Sequence, residues 1–131
     1  SRGLGDVYKR QEYYLAAIDC YKMAGSYSRA IKVIESLERL KGNHLEAAIR
    51  KHRIYIEMGK MKEAEKVLLS FYTKSSTNIM ILASLVDFYF QNEEDVKAVS
   101  MLEELVVEDT ENGMGFLMLA EYFRVLWNRG L

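Results

Sequence analysis

The chain has 131 residues, with a formal net charge of −1, eight glycines and no proline. Half of the residues are hydrophobic and 28% are charged, which excludes an intrinsically disordered chain and predicts a globular domain. The lack of proline favours long helices, and the balanced charge gives no reason to expect a nucleic acid or an acidic membrane as a partner.

The first eleven residues, SRGLGDVYKRQ, lack the helical apolar pattern of the rest of the chain. They resemble a translated adapter used in shotgun DNA sequencing, with DVYKRQ at the transposon end and SRGLG in the preceding primer. A segment that cloning or processing has added to a chain is not part of its natural fold. We therefore expect residues 1–11 to be a non-native segment of a metagenomic fragment and residues 12–131 to be the natural domain. The alternative is a natural segment that extends the first helix.

From Glu12 onward, apolar residues recur at helical spacing in segments that end at glycine or at polar turns. The predicted helices lie within residues 12–25, 28–42, 44–59, 61–74, 78–90, 95–109 and 111–128. Asn43 and Glu46 have the spacing of a capping box at the start of the third helix. The pattern predicts an all-α fold of antiparallel helix hairpins.

The helices repeat with a period of 34 residues. Three columns carry the repeat: Tyr21, Tyr55, Tyr89 and Phe123; Ala30, Ala64 and Ala98; and the turn positions Gly25, Gly59 and Glu93. We expect the alanines to lie where the two helices of a repeat cross, because a small side chain lets the backbones approach closely.

An aromatic residue four positions before the turn glycine and an alanine five positions after it resemble the tetratricopeptide repeat, a 34-residue helix–turn–helix unit. The resemblance covers residues 12–131 and implies an α-solenoid of about three and a half repeats. Three features depart from the family pattern. The alanine expected seven residues after the column alanine is replaced by Leu37, Phe71 and Leu105. A bulky residue replaces a small one at Ile18, His52 and Val86, and the proline near the repeat end is replaced by Gly42, Ser76 and Thr110. Another helical-hairpin solenoid therefore stays open.

The resemblance implies a non-catalytic scaffold that binds a peptide or helix of another protein through a concave groove. In the family the first helix of each repeat lines this groove. The matching positions are Leu15, Asp19, Lys22, Ile49, Arg53, Ile56, Ala83, Asp87, Phe90, Leu117, Glu121 and Arg124. Three alternatives stay open: these residues only complete a tight superhelix, the chain is a structural spacer, or it is a regulatory arm of a larger enzyme or transcription regulator.

No motif indicates a catalytic residue, a metal ligand set or a cofactor site. His44 and His52 are eight residues apart and do not share one helical face, so we expect His52 to pack between helices instead of binding a metal. The single cysteine, Cys20, is expected to be a buried thiol. One cysteine fits a reducing compartment, which predicts the cytoplasm.

The last predicted helix, residues 111–128, has no return helix after it. We therefore expect the chain to be a fragment of a longer array. Phe116, Leu119 and Phe123 are predicted to pack on the preceding repeat, whereas Leu126 and Trp127 are predicted to be uncovered. An uncovered apolar face predicts self-association through this end.

Overall fold

The structure is a computed structural model that describes residues 2–42, 44–74, 78–108 and 113–129. These residues form helices and connecting turns and contain no strand, which confirms the all-α prediction. The helices are α1 (Arg2–Met23), α2 (Tyr27–Lys41), α3 (Leu45–Glu57), α4 (Met61–Lys74), α5 (Ile79–Gln91), α6 (Asp95–Glu108) and α7 (Met114–Asn128).

The chain divides into two compact units, a division that the repeat pattern does not indicate. Unit 1 is residues 1–74 and contains α1 to α4, and unit 2 is residues 75–131 and contains α5 to α7. Within unit 1 each helix packs against the next along the chain, and the same holds within unit 2. In each unit, therefore, every helix packs along the helix that precedes it in the chain.

Backbone hydrogen bonds in the turns repeat with the 34-residue period. In the α1–α2, α3–α4 and α5–α6 turns, the N–H groups of Ser26, Lys60 and Glu94 donate to the carbonyl oxygens of Tyr21, Tyr55 and Tyr89, each at 2.8 Å. The residue before each of these donors has a positive φ: 76° at Gly25, 76° at Gly59 and 59° at Glu93. The turn geometry is thus conserved within the chain, although glutamate adopts the left-handed conformation in the third turn.

The columns of the repeat form the cores of both units. Ala30, Ala64 and Ala98 are completely buried, as the repeat predicts. Each is followed four residues later by another completely buried side chain: Ile34, Leu68 and Leu102. A helix buries residues at this spacing on one face, so the second helix of each hairpin presents the same apolar stripe to its partner.

His52 fills a place where the repeat family has a small residue. Its side chain is 4% exposed, and its Nδ1 lies 2.8 Å from the backbone carbonyl oxygen of Ala64. Because a carbonyl can only accept, the ring N–H donates this bond from α3 to α4. The prediction that His52 packs between helices is confirmed.

Three sequence predictions need correction. The helix cap of α3 is His44, whose Nδ1 accepts a hydrogen bond from the Ala47 N–H at 3.2 Å, while the predicted cap Asn43 lies outside the described residues. Cys20 is exposed instead of buried, because it lies on the outer side of α1. Phe123 is 55% exposed instead of packed, whereas the preceding Tyr122 is 5% exposed. Successive residues are rotated by about 100° around a helix, so burial of one neighbour turns the other outward.

The described residues test the predictions for the two ends of the chain to different extents. α1 runs without a break from Arg2, so the predicted adapter segment continues the first helix from residue 2 onward. Its side chains before Arg10 and the side chain of Phe116 lie outside the described ones. At the other end Trp127 is 80% exposed, as predicted, whereas Leu126 is half-buried.

Candidate functional site

A groove of about 310 Å³ lies between α5 and α7 in unit 2. We call it the unit 2 groove, and its lining residues are Ala83, Val86, Asp87, Phe90, Leu117, Met118, Glu121, Tyr122 and Val125. On both helices these residues follow the three- and four-residue spacing of one helical face. Seven of the nine are apolar or aromatic, so the groove offers mainly hydrophobic walls.

The start of α5 is fixed by a side-chain cap. The Asn78 side-chain oxygen accepts hydrogen bonds from the N–H groups of Met80 and Ile81 at 3.0 and 3.2 Å. Capping of this kind satisfies backbone donors that have no partner within the helix. It sets where the helix begins.

Aromatic rings form one wall of the groove. The rings of Phe90 and Tyr122 meet edge to face with centroids 5.7 Å apart. The Tyr122 hydroxyl donates to the backbone carbonyl oxygen of Asp95 at 3.4 Å. Burial, reinforced by the negative charge of Asp95, raises the pKa of Tyr122 above its ordinary value. The guanidinium of Arg129 lies over the Phe90 ring, 4.5 Å from its centroid, which is a cation–π contact.

Two carboxylates lie in the groove, and they differ in their surroundings. Glu121 is bound by Arg124, whose Nε donates to Glu121 Oε2 at 2.9 Å and whose Nη2 donates to Oε1. This hydrogen bond lowers the pKa of Glu121 and raises the pKa of Arg124. Asp87 is exposed and has no hydrogen-bond or ion-pair partner among the described residues. The unit 2 groove therefore presents one carboxylate that its own chain does not neutralise.

The corresponding face of unit 1, between α1 and α3, carries ion pairs. Arg50 donates to Asp19 through two bonds, Nε to Oδ1 at 2.9 Å and Nη2 to Oδ2 at 3.3 Å. Its Nη1 also lies 3.8 Å from a carboxylate oxygen of Glu46. The guanidinium is thereby shared between two acidic side chains, which does not favour a grip on a further carboxylate such as a peptide C-terminus.

A second ion pair lies beside the first. Lys22 Nζ is 3.6 Å from a carboxylate oxygen of Glu57. A hydrogen bond from the Tyr27 hydroxyl to the same carboxylate, with its negative charge, raises the pKa of Tyr27. We call Asp19, Lys22, Arg50 and Glu57 the unit 1 ion-pair face. In contrast to the unit 2 groove, each of its charges has a partner of opposite sign.

The structure brings together five of the twelve residues suggested for a binding groove: Ala83, Asp87, Phe90, Leu117 and Glu121 line the unit 2 groove. Arg124 does not line it but binds Glu121. In unit 1, Asp19 and Lys22 belong to the ion-pair face, Leu15 and Ile56 are half-buried, Ile49 is buried, and Arg53 is exposed.

Four lining residues were not suggested by the sequence resemblance: Val86, Met118, Tyr122 and Val125. They lie one residue after or before suggested positions, on the side of each helix that turns toward its neighbour. The apolar spacing of Met118, Tyr122 and Val125 along α7 is the signal that could have found three of them.

The described residues contain no group of three histidine, cysteine, aspartate or glutamate side chains arranged to hold a metal ion. No described helix combines the length and the hydrophobicity that crossing a bilayer requires.

Comparison with known proteins places the first part of the chain in a repeat family. Residues 7–71 match the family model described as anaphase-promoting complex, cyclosome, subunit 3, a tetratricopeptide-type repeat family. Residues 7–71 are a tetratricopeptide-type repeat segment. Tetratricopeptide-type repeats mediate contacts between proteins and are generally non-catalytic, so the match indicates a protein–protein interaction scaffold. A comparison with curated proteins found no match.

Proposed function

We propose that the chain is a non-catalytic scaffold and that the unit 2 groove holds a peptide or helix of a partner protein. The observation that carries the proposal is an apolar groove of about 310 Å³ with a single carboxylate, Asp87, left unpaired by the described residues. Concave apolar sites with a few placed polar groups are typical of binding sites. An amphipathic helix or an extended peptide could place its apolar side chains in such a groove.

The repeat match supports this proposal, because the family description names a subunit of a complex. Nothing in the described residues favours the alternative of a regulatory arm of an enzyme or a transcription regulator. Cytoplasmic localisation stays a prediction based on the single cysteine.

The test is selection of a phage-displayed library of short random peptides on the folded chain. Peptides that bind should lose their affinity for Ala83→Trp, because the indole would occupy the groove between α5 and α7. Ala120→Trp is the matched control, since Ala120 is exposed on α7 and does not line the groove. If no selected peptide distinguishes Ala83→Trp from Ala120→Trp, the groove is not the binding site.

We also propose that the outer face of α7 pairs with a second copy of the chain. Phe123 and Trp127 lie one helical turn apart on this face and are 55% and 80% exposed. Exposed aromatic side chains on one stripe favour association with the same stripe of a two-fold related copy.

Sedimentation at several concentrations tests this second proposal. Phe123→Ser with Trp127→Ser should shift the chain toward monomer, whereas Tyr13→Ser, which removes a 71% exposed aromatic residue from α1, should not. A wild-type chain that stays monomeric at every concentration would contradict it.

A further inference from the structure

The unit 2 groove and the unit 1 ion-pair face occupy the same positions of the repeat. The first helices α1 and α3 precede α5 and α7 by two repeats, which is 68 residues. With this shift, Asp19 aligns with Asp87 and Arg50 aligns with Met118. Both repeats therefore keep the aspartate, but the arginine that binds it in unit 1 is a methionine in unit 2.

The second ion pair changes in the same way. Lys22 and Glu57, which are 3.6 Å apart in unit 1, correspond to Phe90 and Val125 in unit 2. Both of these apolar residues line the groove. Three of the four positions that are charged in the unit 1 ion-pair face are thus apolar in unit 2, and only Asp87 carries a charge there.

One wall of the groove already holds a cation of its own chain. The Arg129 guanidinium lies 4.5 Å from the centre of the Phe90 ring. The Phe90 ring is therefore already occupied by a cation of the chain, which leaves a carboxylate, not the ring, for a cation from outside. The other carboxylate, Glu121, is bound by Arg124, so Asp87 is the acidic group left for a cation from outside.

We infer that the unit 2 groove selects a protein segment that carries an arginine or lysine beside apolar side chains. The cation binds Asp87 in the way that Arg50 binds Asp19, and the apolar side chains pack on Met118, Phe90 and Val125. This inference rests on the proposed function, because it states the chemistry of the segment that the groove holds. It explains why an apolar groove keeps an unpaired aspartate at the position of a paired one.

The first experiment compares the peptides that the library selection yields. Peptides that compete for the groove should be enriched in arginine or lysine next to leucine, isoleucine or phenylalanine. Their binding should weaken as salt is added, because an exposed ion pair is screened. Selected peptides that bind the groove without any basic residue would overturn the inference while leaving the proposed groove intact.

The second experiment measures fluorescence anisotropy of one such peptide on variants of the full chain. Asp87→Asn should weaken binding by about three- to tenfold, and Asp87→Lys should prefer the same peptide with its basic residue changed to glutamate. An unchanged affinity of Asp87→Asn would overturn the inference.

Met118→Arg is the sharpest variant, because it restores the residue that unit 1 has at this position. The new guanidinium should bind Asp87 and close the groove, so that the peptide is lost while the chain stays folded by circular dichroism. Met118→Leu is the matched control and should keep the affinity within about twofold. If Met118→Arg and Met118→Leu bind the basic peptide equally well, Asp87 is not the anchor. If the library selection yields no peptide that binds the wild-type chain, the proposed function itself fails.

Discussion

Unit 1 and unit 2 are built from helices and turns of the same kind, but they differ in the charges that their facing helices carry. Between α1 and α3, Asp19 and Arg50 neutralise each other, whereas between α5 and α7 the equivalent aspartate, Asp87, lies alone in an apolar groove. The backbone bonds that close the turns are the same in both units. The turns and the buried columns therefore maintain the fold in both units. The residues on the facing sides of α1 and α3, and of α5 and α7, differ without altering it.

The largest expected effect tests whether the buried columns hold both units equally. Ala64→Leu in unit 1 and Ala98→Leu in unit 2 should each lower the free energy of unfolding by about 1–3 kcal/mol, because both alanines are completely buried and added methyl groups overpack the helix crossing. Urea unfolding followed by circular dichroism measures this. Ala16→Leu on the exposed side of α1 is the control and should change stability little. An unchanged stability of Ala64→Leu would show that the helices do not cross there.

The next effect concerns the turn in which the units differ. Glu93 adopts a φ of 59° where unit 1 has glycine, and an L-residue in this conformation is strained by about 1–2 kcal/mol. Glu93→Gly should therefore raise the free energy of unfolding by about 0.5–1 kcal/mol after the larger backbone entropy of glycine is included. Gly59→Ala should lower it by about 1 kcal/mol, since a Cβ there meets open space and only the backbone conformation opposes it. Glu93→Ala keeps the strained backbone conformation and should not raise the free energy of unfolding. If it raises this free energy as much as Glu93→Gly does, the glutamate side chain, and not the backbone conformation, is the source of the strain.

A smaller effect measures the difference between the two faces directly. A double-mutant cycle of Asp19→Ala with Arg50→Ala should give a coupling energy of about 0.5–1 kcal/mol, because the pair is bidentate but partly exposed. The equivalent cycle of Asp87→Ala with Met118→Ala should give a coupling near zero. Equal coupling in the two cycles would mean that the contrast between the faces has no energetic basis.

His44 gives unit 1 a pH dependence, because the Nδ1 that accepts the Ala47 N–H can do so only in the neutral ring. Desolvation, together with Lys41 and Arg50 and against the opposite effect of Glu46, lowers the pKa of His44 below its ordinary value of 6.5. The unfolded chain then binds more protons between the two pKa values. The contribution of His44 is therefore complete above pH 6.5 and is lost as the pH falls toward the folded pKa.

His44→Asn keeps a cap and removes this titration. The stability of the wild type relative to His44→Asn should rise with pH below 6.5 and become constant above it, as measured by urea unfolding at several pH values. A difference that is independent of pH would contradict the assignment of the cap to neutral His44.

The smallest effect defines where unit 1 begins. We propose that residues 1–11 are not native, and their deletion should shift the melting temperature little, although α1 runs through them. Thermal unfolding of the full and shortened chains measures this. A loss of several degrees would show that these residues belong to the fold.

Much of the fold follows from the sequence, because periodicity reports which side of a helix is buried. The alanine column, the positive-φ turn positions and the packed His52 all agree with the 34-residue pattern. Phe123 was misplaced because the last helix is rotated so that Tyr122, not its neighbour, faces the preceding helices. A one-residue error is enough, since each step around a helix changes the direction of the side chain by about 100°.

The candidate site was less predictable than the fold. The resemblance indicated Asp87 and Phe90. The pairing of Asp19 with Arg50, which are 31 residues apart in sequence, depends on how α1 and α3 approach each other. Side-chain pairing between helices has no period of its own and becomes visible only when the helices are placed. The contrast between the ion-pair face and the groove therefore came from the structure.

The substitution of arginine by methionine at the repeat position of Arg50 and Met118 also bears on how such chains diverge. A methionine codon becomes an arginine codon by a single nucleotide change, AUG to AGG, so one mutational step can supply the aspartate with a partner of opposite charge. The turns and the alanine column lie elsewhere and are untouched by that step. A repeat can therefore gain or lose the arginine partner of its aspartate while its turn residues and its buried alanine stay the same.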